Sequence, residues 1–65
     1  MLDNFIAYTN YCEAKGYDFK FNYTKKGITA DLYYNNTLKK KGSKYYESCL
    51  DAQKKCYTLL FNSIK

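Results

Sequence analysis

YDFKFNYTKKGITADLYY, running from Tyr17 to Tyr34, alternates by twos over its length, and no other segment of the chain does. Tyr17, Phe19, Phe21 and Tyr23 fall on one side of an extended strand, and Asp18, Lys20, Asn22 and Thr24 fall on the other, as the pleat of a β-strand requires. Ile28, Ala30, Leu32 and Tyr34 repeat the pattern, so the stretch reads as a β-hairpin. For both apolar sets to share a face, opposed residues must be one odd and one even in number. Pairing Phe21 with Ala30 meets that condition and sets Lys20 opposite Asp31. It leaves Thr24-Lys25-Lys26-Gly27 as a four-residue loop, closed by a glycine free to take positive φ.

Working outward, Asp3 or Asn4 is placed to cap a first helix over about residues 3 to 15. Leu2, Phe5, Ile6, Thr9 and Cys12 form its apolar stripe, flanked by Tyr8 and Tyr11, and Gly16 ends it. Strands are expected at about 17 to 24 and 28 to 35. Residues 36 to 42 carry turn formers and a lysine run without periodicity, which favours a loop. A short edge strand through Thr37 to Lys40 is the alternative, since lysine often guards a sheet edge. A last helix is expected over about 44 to 63, capped by Ser43 or by Ser48, the latter with Asp51 in a capping-box position. Its inward stripe is Cys49, Ala52, Cys56, Leu59, Leu60 and Ser63, widened by Tyr57 and Phe61. The predicted fold class is α+β, a two-layer helix-strand-strand-helix unit with both helices on one face of an antiparallel sheet.

The totals agree with one small domain. A chain of 65 residues has a radius of gyration of about 11 Å when compact and buries only about 60% of its unfolded surface. Nine Tyr and four Phe compensate, because large rings bury more area than aliphatic side chains. Three cysteines, Cys12, Cys49 and Cys56, lack the spacing of a disulfide framework or a zinc site, so a reducing cytoplasm is the expected setting. The first residues carry no basic, apolar leader pattern, and no run is long enough to cross a bilayer.

The net charge of +5 is unevenly placed. From Met1 to Leu38 four lysines meet four acids, whereas from Lys39 to Lys65 seven lysines face only Glu47 and Asp51. Every basic residue is lysine, and the wealth of Asn, Tyr, Ile and Lys fits an A+T-rich coding sequence. With no histidine, the commonest general base near neutral pH is missing. The acidic residues are scattered, so an enzyme is not expected, nor is a cofactor or a metal site.

Lys39, Lys40, Lys41 and Lys44, with Lys54 and Lys55 on the following helix, are the candidate binding residues. Beside a helix N-terminus they would attract phosphate, and Tyr45 and Tyr46 would be placed to stack on bases. The same lysines also suit docking on an acidic protein surface or plain solubility, and the lack of arginine removes the bidentate contacts that read guanine. A second candidate patch is the polar hairpin face through Lys20 and Tyr33, since Tyr favours interface centres. The two cysteines Cys49 and Cys56, seven apart, read as small core residues.

Gly42-Ser43-Lys44 opening a final helix after short strands resembles the end of double-stranded RNA-binding domains, where a Gly-Ser-Lys-Lys stretch grips phosphates; here Tyr45 stands in place of its second lysine. In general character, tiny, lysine- and tyrosine-rich, histidine-free and built round one hairpin, the chain also resembles the small anti-defence proteins of phages and mobile elements, anti-CRISPR proteins among them. That resemblance implies a non-enzymatic inhibitor, monomeric or dimeric, that occludes a host protein or nucleoprotein complex such as a CRISPR effector. Direct nucleic-acid binding is the alternative, and no membrane partner is expected.

Overall fold

The computed structural model describes residues 4–65; Leu2 and Asp3, which the pattern assigns to the first helix and its cap, lie outside the described residues. The order is α1 (Asn4–Ala14), β1 (Tyr17–Thr24), β2 (Gly27–Tyr34), β3 (Thr37–Lys40) and α2 (Cys49–Ile64). The strands form an antiparallel meander, β1-β2-β3, and the Cα radius of gyration is 11.3 Å.

The hairpin register is the expected one. Phe21 pairs with Ala30 and Lys20 with Asp31, because a slip of one residue would turn Ile28 and Ala30 out of the core. The turn is tighter than expected: pairing extends to Thr24↔Gly27, leaving Lys25 and Lys26 as the loop. The Thr24 hydroxyl accepts from the Lys26 N–H at 3.2 Å and donates to the Gly27 carbonyl at 2.7 Å, and Gly27 takes φ +138°.

Residues 37 to 40 are a strand and not the loop the pattern favours. Asn35 and Asn36 both adopt left-handed backbone, φ 50° and 66°, as a type I′ two-residue turn requires. Tyr34 thus pairs with Thr37, and Tyr33 with Leu38. The register then shifts, and Lys40 faces Leu32, leaving Lys39 as the extra residue of a bulge. The chain keeps following β2 beyond Lys40 until Tyr46 exchanges both backbone hydrogen bonds with Ile28, at 2.8 and 2.9 Å.

That pairing explains why α2 starts late. Residues 44 to 47, expected in the helix, are drawn along β2 so that Tyr46 enters the core, and Ser48 is the cap, its hydroxyl accepting the Asp51 N–H at 3.1 Å. Ala52 and Cys56 of α2 pack on Ile28, Ala30 and Tyr46, with Phe19, Phe21 and Cys49 around them. α1 lies beside α2 on the β1 side: Tyr8 stacks on Phe61 at 4.2 Å between centroids, and the fully buried Cys12 thiol reaches the Tyr57 carbonyl. Tyr57 packs edge-on against Phe19 at 4.9 Å and donates to Asp18 at 3.3 Å. Ile6, Tyr23, Tyr34, Leu59 and Ser63, assigned to inward faces by periodicity, are exposed instead.

Candidate functional site

The bulge at Lys39 is what creates a site. Leu38, opposite Tyr33, belongs to the outer face of the sheet, and in a regular strand Lys40 would share that face. The inserted residue reverses it and sets Lys40 opposite Leu32, on the side that α2 covers. Beyond it, Gly42 crosses so close to β2 that a Cβ there would fall on the Ala30 carbonyl oxygen and 2.8 Å from its carbon. Only glycine fits. The 40–46 segment therefore runs beside α2 and leaves a groove of about 350 Å³ between them.

One wall of this groove is the 40–46 segment with Lys40, Ser43 and Lys44; the other is α2 with Cys56, Leu59 and Leu60. Phe19, Ala30 and Leu32 form the floor. Leu59, at the edge of the groove, is 66% exposed. Among the described residues neither Lys40 nor Lys44 is ion-paired. Lys44 sits 5.6 Å from the Tyr46 ring centroid, where the ring quadrupole attracts it.

A buried carboxylate anchors the wall. Asp31 is 5% exposed although it belongs to the outer sheet face, because the crossing segment covers it. Its carboxylate accepts the Gly42 N–H and the Asn22 amide, both at 3.0 Å, and pairs with Lys41 Nζ at 3.6 Å. The Gly42 N–H, with help from Asn22 and Lys41, holds the Asp31 carboxyl below the usual carboxylate range despite its burial. The cross-strand neighbour Lys20 makes no ion pair among the described residues.

The predicted site residues are thus sorted. Lys40, Lys41 and Lys44 line the groove wall, Lys41 with its charge turned to Asp31. Lys39 is exposed at the bulge. Lys55 pairs with Asp51 at 3.5 Å one turn before Leu59, while Lys54 lies at the seam with α1, 5.8 Å from the Phe5 ring. Tyr45 is half exposed, but Tyr46 is a core residue, 9% exposed. Its hydroxyl accepts from the Cys56 thiol at 3.5 Å, and burial, then that contact, pushes its pKa up to about 12. It does not present a ring for stacking on bases. Lys20 and Tyr33 remain on the outer face, with Leu38 beside Tyr33.

Two further expectations change. Gly42-Ser43-Lys44 lies between β3 and α2 and does not open the helix, whose first residue is Cys49 with Ser48 as its cap. The groove's apolar members, Phe19, Leu32, Leu59 and Leu60, have the sequence spacing of core residues, and nothing in that spacing marks them as a site. Burial raises the thiol pKa of Cys12 and of Cys56, which keeps both protonated and unreactive. Among the described residues no cluster of His, Cys, Asp or Glu is arranged to hold a metal, and no helix is long and apolar enough to cross a membrane. Comparison with protein-family models, curated proteins and solved structures finds no match for the chain.

Proposed function

We propose that this is a non-enzymatic binding protein that docks on an acidic surface of a larger protein or nucleoprotein complex, and that it acts by occlusion, as an inhibitor of the phage or mobile-element type does. The observation that carries this reading is one groove that brings together two ammonium groups without an ion-pair partner among the described residues, Lys40 and Lys44, and the exposed Leu59. Nucleic-acid binding is the second reading, favoured by the net charge of +5 and weakened by the burial of Tyr46.

The test is affinity capture from a bacterial lysate, with and without nuclease, comparing wild type with a Lys40→Glu, Lys44→Glu double variant. Lys41 is left alone because a carboxylate there would face Asp31. The expected outcome is a discrete protein retained by wild type after nuclease treatment and lost by the variant, whose far-UV circular dichroism stays unchanged. Retention by both proteins would sink the reading. Capture that vanishes with nuclease and falls steeply with salt would favour nucleic acid.

A further inference from the structure

We infer that the groove recognises a short acidic peptide segment that plants a large apolar side chain between the 40–46 wall and Leu59; this rests on the docking reading above and names what the groove would hold. The two walls differ in chemistry. The 40–46 wall offers Lys40 and Lys44, four residues apart and neither ion-paired among the described residues, and the α2 wall offers Leu59 and Leu60 over the floor residue Leu32. A complementary ligand carries negative charge spread along its length on one side and apolar groups on the other.

A peptide with Asp or Glu flanking Leu, Ile or Phe meets both demands. A fatty acid or lipid concentrates its charge at one end, opposite one ammonium group only. A nucleic-acid strand supplies the charges but no aliphatic side chain for the α2 wall. A second copy of this chain brings +5 against +5, so long-range repulsion favours a more acidic partner over it. Burial of one such anchor beside partly desolvated ammonium groups is the arrangement that concentrates binding energy in a few residues.

The experiment selects binders from a displayed library of random linear peptides against the wild-type protein, then measures the enriched peptides by fluorescence anisotropy. The expected result is enrichment of peptides that combine Asp or Glu with a large apolar residue. Each should lose about tenfold or more in affinity for Leu59→Ser, and as much for Lys40→Gln with Lys44→Gln. Leu59 is exposed, so its replacement leaves the fold intact, and circular dichroism checks this. Enriched peptides that are acidic without an apolar preference and bind Leu59→Ser like wild type would overturn this inference while leaving the basic docking surface standing. Binders indifferent to Lys40→Gln with Lys44→Gln, or a selection yielding none, would overturn the inference; the first of these would take the docking reading with it.

Discussion

Replacing Asp31 by Asn keeps the shape of the side chain and removes its charge, and the structure sets the size of the effect. The carboxylate accepts from the Gly42 N–H and from the Asn22 amide at 3.0 Å each and pairs with Lys41 at 3.6 Å. An asparagine oxygen can keep one of the two hydrogen bonds, but its NH₂ must then confront the donor it replaces. Hydrogen bonds to charged groups contribute about 1.5–3 kcal/mol each, and a donor left unpaired costs about 1–3. Asp31→Asn should therefore cost about 2 kcal/mol at neutral pH, a large share of the roughly 3–10 kcal/mol expected for a domain of this length. With a urea m-value of about 1 kcal/mol/M for so small a chain, the unfolding midpoint should fall by about 2 M. The loss should also depend on pH. The folded-state pKa of Asp31 is lowered, below the roughly 3.9 of the unfolded chain. Its contribution is then fully present above about pH 4 and disappears as pH falls through the folded value, so wild type and variant should converge in acid. A cost below about 0.5 kcal/mol at neutral pH, or a difference that stays constant into acid, would refute the role assigned to this carboxylate.

Three other substitutions probe the frame that holds the groove. Gly42→Ala drives a methyl group into the Ala30 backbone, and should cost about 3 kcal/mol or more in urea unfolding; a near-neutral result would mean that the 40–46 segment does not cross β2 there. Tyr57→Ala removes a ring that is 3% exposed and should cost about 3–5 kcal/mol. Phe21→Ala, at a half-buried ring, should cost clearly less by the same measurement. Equal losses would place the core closer to Phe21 than the packing of α2 indicates.

Much of the fold was legible because alternation has only two phases. Once Tyr17 to Tyr23 and Ile28 to Tyr34 are required to share a face, parity and the position of Gly27 leave little freedom in the register, and Phe21↔Ala30 follows. The third strand has a sequence signal of its own: Asn-Asn is suited to a type I′ turn, since Asn tolerates positive φ, and Asn35-Asn36 uses it. The late start of α2 was half legible in the Ser48 and Asp51 pair, but the choice between two caps is settled by a long-range event, the pairing of Tyr46 with Ile28. The candidate site was the least legible. Which way Lys40 points depends on one bulged residue, Lys39, and nothing local distinguishes it within the run Lys39-Lys40-Lys41. Leu59 has core spacing on α2, yet it stands exposed at the edge of the groove. Asp31 reads as an outer-face residue with Lys20 as its neighbour, whereas the tertiary path of Lys41 and Gly42 buries it.

Site-specific photocrosslinking distinguishes the groove beside Leu59 from the outer sheet face as the place where a partner sits. A photoreactive phenylalanine is placed at Leu59 in one protein and at Leu38, beside Tyr33 on the outer face, in another; both positions are exposed, so both proteins should fold. Irradiation in a nuclease-treated bacterial lysate should give one discrete protein adduct from position 59 and none from position 38. An adduct from position 38 alone would contradict the account and move the binding surface to the face of the sheet that carries Lys20 and Tyr33.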